Sequence, residues 1–393
     1  MTKTARLSNP AHPEYGEATI PFPIPPDEYA HVIEMMEQLE IGHVLDRDCK
    51  VQDMTDWPPV LDRLCGQCIN IDELDYLAKR LESFDKNELA QFQGTVFEHD
   101  LHDMTDLINQ TFCCQEATVV TDFSDLERIG KRHYLTLHGG CPSAELDNVD
   151  GVETAYLLLD GGGGKVTPFG VVFDNMMQME KLYDGVYFPD YSYTTPQLLV
   201  EMITPDKPGK STWLNLPMPE QQLDRLIARG NAQDFNYDLT NYQLPPCVMD
   251  VVEFRPSSVY ALNDLCAAMS VLDQREFFKL ESVIDFSQPE SPEQLTQLIR
   301  NLDLFDYVPD VKGTEELGRY MIQESGHFDY DENLDEFYDY KAYGMQKMHS
   351  EDGCFVVGGY IAYRGTLTLD ELMDGDPAEQ YQKEQGMDMG GMT

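Results

Sequence analysis

This chain repeats itself over a long period. Thr19-Ile20-Pro21-Phe22-Pro23-Ile24-Pro25 reads like Trp213-Leu214-Asn215-Leu216-Pro217-Met218-Pro219, and Tyr29 and Ile33 just after it answer to Leu223 and Ile227. Ile71, Leu74, Leu77, Leu81 and Phe84 match Val259, Leu262, Leu265, Met269 and Leu272. Asp85, Glu88, Leu89 and Phe92 match Asp273, Glu276, Phe277 and Leu280. Leu107 and Ile108 match Leu298 and Ile299, Leu126 with Arg128 matches Leu317 with Arg319, and residues 164–174 lie over 353–363. The offset stays between 188 and 194 residues. So small a drift fits two copies of one unit differing by short loop changes, and the fold must be one that half the chain can form. The copies are placed at 15–180 and 211–366. Residues 1–14 are an N-terminal segment, 181–210 a linker with Pro and Gly turn chemistry, and 367–393 a disordered acidic tail.

Within each copy the predicted order is the same. An extended apolar segment (18–24; 212–218) leads into a helix opened by Pro-Pro-Asp-Glu at 25–28 or Pro-Glu at 219–220. Residues 248–254 read as a strand. Helices with apolar spacing of three and four follow at 71–84, 88–98 and 104–112, mirrored by 258–272, 274–283 and 292–302. An acidic helix comes next (124–133; 314–325), and strand-like runs at 166–173 and 354–363 close the unit. The fold class is α+β, with a helical middle between small sheet-containing ends.

Charge is the second constraint. The 393 residues carry 71 Asp and Glu against 27 Lys and Arg, a formal net charge of −44. Such acidity usually marks disorder, but 21 Tyr, 18 Phe and 42% hydrophobic residues supply a core. The protein is folded and wears an anionic coat that repels nucleic acid and anionic lipid and attracts basic surfaces. Duplex DNA carries one charge per roughly 1.7 Å, so 44 charges correspond to about 75 Å of duplex. A compact globule of this length has a radius of gyration of roughly 21 Å, so matching DNA favours an elongated arrangement. The densest run, 301–340, holds Asp303, Asp306, Asp310, Glu315, Glu316, Glu324, Asp329, Asp331, Glu332, Asp335, Glu336 and Asp339, opposed only by Lys312 and Arg319. Tyrosines and Phe305, Phe328 and Phe337 are interleaved, to anchor this face to the folded body or to a partner.

No catalytic constellation emerges. Cys65-Gly-Gln-Cys68 lacks a second ligand pair at zinc spacing and reads as two small buried residues. Cys113-Cys114 ends an apolar helix and reads as core. Gly161 to Gly164 before Lys165 lacks phosphate-loop spacing and reads as a hairpin turn. Asp329-Tyr-Asp331 begins like a Ca²⁺ loop, but Leu334 and Tyr340 occupy the positions that need Gly and Glu. Asp46-Arg-Asp48 is a pair expected by chance among so many acids. No metal and no cofactor are expected. Nine cysteines without an apolar leader over 1–13 read as reduced thiols of a cytoplasmic protein, and no run of about 18 apolar residues offers a membrane span.

Gly318-Arg-Tyr-Met-Ile-Gln-Glu-Ser-Gly-His327, then Leu334-Asp-Glu-Phe-Tyr-Asp-Tyr-Lys-Ala-Tyr-Gly344 and Gly353-Cys-Phe355, resembles the C-terminal part of ArdA antirestriction proteins. The likeness is close over about 30 residues and weaker over 211–366; residues 15–180 share it through the repeat. It implies an acidic, elongated, non-enzymatic protein of mobile elements such as conjugative transposons. Such a protein imitates B-form DNA and occupies the DNA-binding groove of type I restriction–modification enzymes, chiefly the methyltransferase core. Family units consist of three small subdomains and typically pair as homodimers. Two units in one chain imply either a homodimer or an intramolecular pseudo-dimer. The residues expected to meet the partner are the acids of 303–339, with Asp122, Asp125 and Glu127 as their counterparts in the first copy. The first copy lacks the Tyr-Asp-Tyr-Lys-Ala-Tyr-Gly segment and carries Glu145, Asp147, Asp150 and Glu153 in its place. An acidic module for basic nucleic-acid-binding proteins, or an inhibitor of another DNA-targeting defence system, is the alternative.

Overall fold

The computed structural model describes residues 2–204, 207–233 and 236–375. It mixes helices with small antiparallel sheets and separates into two compact units. Unit one holds the chain to Thr195 together with Glu201–Leu214 and Pro219–Asp238; unit two holds Pro196–Val200, Asn215–Met218 and the chain from Leu239.

Unit one begins with a four-stranded sheet in the order Glu17–Phe22, Lys3–Ser8, Cys49–Thr55, Cys68–Ile69. Lys3–Ser8 therefore lies inside the sheet, although the sequence placed 1–14 ahead of the folded unit. Ala5 and Leu7 point inward and are fully buried; two apolar residues in a six-residue strand are too few for the period to be seen. Helix Ile71–Glu82 is N-capped by Asn70, which accepts from the amides of Asp72 and Glu73, and turns Ile71, Leu74, Leu77, Ala78 and Leu81 into the core. Helix Lys86–Glu98 opens on a reciprocal capping box between Asp85 and Glu88. A second sheet has the order Ala117–Val120, Gly170–Asp174, Lys165–Thr167.

Unit two presents a matching series. Helices Val259–Ser270, Gln274–Ser287 and Pro292–Arg300 succeed one another, and the second opens on the same box, from Asp273 and Glu276. Its sheet has the order Phe305–Pro309, Gly359–Tyr363, Cys354–Val356. Apart from this series, and not confined to unit two, the chain has a sheet in the order Tyr237–Tyr242, Leu198–Ile203, Ser211–Leu216. Individual bonds also correspond: the Ile24 amide donates to Asp75 Oδ1 at 2.7 Å, and the Met218 amide to Asn263 Oδ1 at 2.9 Å.

Four further expectations of the fold change. Pro246–Phe254 is a helix, not the strand expected at 248–254; Pro245 and Pro246 start it, and Val248, Met249, Val251 and Val252 form one buried face. Leu198–Ile203 is a strand inside the segment read as linker. Gly161 to Gly164 join a helix to a strand, and the hairpin turn lies between Lys165–Thr167 and Gly170–Asp174. The tail placed from 367 first forms helix Leu369–Asp374, capped by Thr368 and burying Leu372 and Met373; residues 376–393 lie outside the described residues.

Each half also carries one tight helix crossing. Helix Leu126–His138 meets Gly151–Asp160 through Gly130 and Gly151, and a Cβ on Gly130 would stand 1.8 Å from the Gly151 carbonyl oxygen. Helix Thr314–Arg319 meets Tyr340–Ser350 through Gly318 and Gly344, where the added Cβ atoms would lie 1.9 Å from Tyr340 O and 1.8 Å from Thr314 O. The obstacle is backbone, so the helices must part. Gly318→Ala is expected to cost about 1–3 kcal/mol, read as a lowered melting temperature of unit two; an unchanged melting temperature would contradict the crossing.

Candidate acidic interface

The second-copy acids sit on the elements that follow the helical middle of unit two. Asp303 is exposed in the turn Leu302–Leu304, and Asp306 lies half-buried on strand Phe305–Pro309, paired to Arg364 at 2.7 Å. Asp310 is exposed at the strand's end, where the backbone turns with a φ of +61°. Glu315 and Glu316 are exposed in the first turn of helix Thr314–Arg319; Glu315 reaches Arg319 at 3.4 Å and Glu316 accepts from the Lys312 amide. Acids belong there, since the first turn presents unsatisfied amides.

Beyond this helix the acids divide by task. Asp331 accepts from the Asn333 amide at 2.9 Å, and Asp339 caps helix Tyr340–Ser350 by accepting from the Ala342 amide at 3.0 Å. Asp335 turns inward. It accepts from the Tyr330 hydroxyl at 2.7 Å, from Gln323 Nε2 at 2.9 Å and from the Tyr340 hydroxyl, and Arg319 stacks over the Tyr340 ring at 4.4 Å. The Tyr340 and Tyr330 hydroxyls hold the Asp335 carboxyl below the usual carboxylate range. Glu324, Asp329, Glu332 and Glu336 are exposed and make no side-chain hydrogen bond or ion pair among the described residues. Asp303 and Asp310 are in the same state, and these six are the acids of the run most available to a partner.

The interleaved aromatics split likewise. Phe305 and Tyr340 are buried and tie the segment to the body, whereas Phe328 and Phe337 stay exposed, Phe337 at 82%. The tyrosine and glutamine clasp on Asp335 was not foreseen; the clustering of Tyr330, Tyr338 and Tyr340 around it was the available signal.

In unit one the three counterparts are exposed but engaged. Asp122 pairs with Arg128 at 2.8 Å, Asp125 caps helix Leu126–His138 through the Arg128 amide, and Glu127 meets Lys131 at 2.9 Å. Asp150 caps Gly151–Asp160 as Asp339 caps Tyr340–Ser350. The Tyr-Asp-Tyr-Lys-Ala-Tyr-Gly segment is thus replaced in residue type while a capped helix occupies the corresponding place. Removing a cap oxygen with Asp125→Ala or Asp339→Ala is expected to cost about 1 kcal/mol of stability, whereas Glu332→Gln leaves it unchanged. Urea denaturation of the three variants checks this, and an equal loss in Glu332→Gln would contradict the division.

Other candidate chemistry resolves into structure. Cys65 and Cys68, expected to be buried, are exposed, while Cys113 is buried and Cys114 partly so. His43, Asp46 and Asp48 bring potential ligand atoms within 4.8 Å. The Asp48 carboxylate, however, is already held by the amides of Gly42 and His43 and by the His43 ring, as a loop clasp. A cavity of about 590 Å³ in unit one is lined in part by Arg80, Arg128 and Arg132, with neither histidine nor lysine on its wall. No helix of the described residues is long and apolar enough to cross a membrane.

Residues 209–362 match the family model for the antirestriction protein ArdA. That stretch is similar to the ArdA family. The match includes Asp303 to Asp339, the Gly318–Gly344 crossing and the sheet that closes unit two. The resemblance first drawn from Gly318 to Gly344 therefore holds for the ArdA segment as a whole, and the family's function is antirestriction. No curated protein matches the chain significantly.

Proposed function

We propose that this protein is a non-enzymatic, cytoplasmic antirestriction protein that imitates B-form DNA and occupies the DNA-binding groove of a type I restriction–modification enzyme. The observation that carries the reading is that the ArdA match contains the densest acidic run of the sequence, in which Glu324, Asp329, Glu332 and Glu336 are exposed and uncommitted. Carboxylates on capped helices and turns meet the Lys and Arg that ordinarily hold phosphates. Association is steered over long range, and counter-ions leave both faces. Chemistry at a reacting atom is not part of the reading, and a mobile element that made the protein would enter a restricting cell protected.

The chain is further proposed to be two copies of the unit, standing in one polypeptide for the pair that shorter relatives assemble. The repeated element order, the paired capping boxes, the Asp75 and Asn263 bonds and the two glycine crossings support this. Strands Lys3–Ser8 and Leu198–Ile203 support starting each copy one strand earlier than the sequence suggested.

The test is restriction in cells. Unmodified phage plated on a host with a type I system is expected to recover toward its efficiency on a non-restricting host when the protein is expressed. Unchanged plating across hosts that carry different type I systems would sink the proposal.

A further inference from the structure

A groove of about 530 Å³ opens in unit two beside helices Pro246–Phe254 and Gln274–Ser287. Its apolar wall includes Val251 and Ile284, and two large apolar side chains, Phe254 and Val357, stand beside it, each 73% exposed. The charged residues lining it are Asp250, Glu281, Asp285 and Glu290, with no lysine or arginine. Asp285 accepts from the Val357 amide at 3.2 Å and so fixes the hairpin tip that carries Val357. Asp250, Glu281 and Glu290 are exposed and make no side-chain hydrogen bond or ion pair among the described residues.

We propose that this groove docks a short basic amphipathic segment of a partner protein. The apolar face of that segment covers Phe254, Val357 and Ile284, and its Lys or Arg residues meet Asp250, Glu281 and Glu290. Charge selects the occupant. A nucleic acid or an anionic bilayer is repelled by the acidic rim, and a second copy of this chain would bring another 44 net negative charges to it. Imitating phosphates does not require a bare Phe and Val between carboxylates, whereas an apolar anchor ringed by charge is the form of a protein-binding spot. The inference stands on the groove alone and does not need the DNA-mimic reading.

The test uses the full chain and two labelled 14-residue peptides of equal positive charge. One carries leucine at helical i, i+3, i+4, i+7 spacing among lysines, and the other has serine in place of each leucine. Fluorescence anisotropy is expected to show the leucine peptide binding about tenfold tighter or more, since burying large apolar side chains supplies that much. Phe254→Ser combined with Val357→Ser is expected to abolish the preference and leave serine-peptide binding unchanged. Both side chains are exposed, and an unchanged melting temperature verifies the fold. Glu281→Gln with Glu290→Gln is expected to weaken both peptides. Equal binding of the two peptides by the parent chain, or a preference that survives the double substitution, would overturn the proposal. So would sedimentation showing a dimer that the same substitution disperses. Failure here leaves the plating result untouched, and failure of plating leaves the peptide result untouched.

Discussion

Arg229→Met is expected to lower the unfolding free energy of unit one by about 3–5 kcal/mol, the cost of breaking a buried charge network from one side. Arg229 is 4% exposed and ends helix Glu220–Gly230. It donates to the carbonyl oxygens of Val186, Val44 and Gly185, to Asn70 Oδ1 and to the Tyr183 hydroxyl, and its guanidinium lies 4.6 Å from the Phe188 ring centre. Arg225, one turn earlier, holds Asp72 with two bonds of 2.8 Å. Methionine fills much of the volume but satisfies none of the five acceptors, and it withdraws one of the two cations near Glu73. Glu73 is itself buried, with Oε2 lacking a hydrogen bond.

The deficit carries a pH signature. Burial lifts the Glu73 carboxyl above the usual carboxylate range, against the opposing pull of the Tyr183 hydroxyl, Arg47 and Arg229. A raised folded-state value means that folding takes up a proton, so this group favours the folded state in acid and loses that contribution as pH rises through its folded value. Without Arg229 the value rises further, and the variant's deficit should be smaller at about pH 4.5 than at about pH 7.5. Trp57 and Trp213 both belong to unit one, so tryptophan fluorescence in urea at the two pH values reads the effect there. A deficit below 1 kcal/mol, or one larger in acid, would contradict the network as described.

Neutralising Glu324, Asp329, Glu332 and Glu336 together, as amides, is expected to weaken inhibition of a type I enzyme roughly fivefold to a thousandfold. Exposed charge pairs are worth about 0.2–1 kcal/mol each, so four lost at once amount to about 1–4 kcal/mol. Any one of them alone should change inhibition about fivefold or less. The four are free of structural duty, so stability should not follow inhibition downward. Asp335→Asn behaves oppositely in this account: it disturbs the tyrosine clasp and the seating of the acidic segment, so its effect appears in thermal melting. A single carboxylate among the four whose loss abolished inhibition would point to a catalytic or metal-binding role in place of a distributed charge surface.

Much of this architecture was legible in the residues. Asp85 with Glu88, and Asp273 with Glu276, spelled out two helix starts that became capping boxes. The three-and-four spacing of Ile71, Leu74, Leu77 and Leu81 became the buried face of one helix. What escaped has physical causes. Strands Lys3–Ser8 and Leu198–Ile203 are short, and the first presents only two apolar side chains to the core. Pro246–Phe254 is rich in valine, a strand former by propensity, yet two prolines and a one-sided apolar face made it a helix. The pairing of Leu126 and Arg128 with Leu317 and Arg319 falls on helices Leu126–His138 and Thr314–Arg319 at an offset of 191, whereas the proposed match of the glycine crossings sets Gly130 against Gly318 at 188. At the candidate interface nothing in the residue pattern separates carboxylates that cap or clasp, such as Asp335 and Asp339, from those left to solvent.

The central claim is competition for a DNA-binding groove. The most direct measurement is displacement of labelled duplex from a purified type I methyltransferase by the full chain, repeated over a series of salt concentrations. The account predicts displacement whose apparent affinity falls steeply and log-linearly with added salt, as counter-ion release requires. Absence of displacement at micromolar protein, or displacement indifferent to salt, would contradict it.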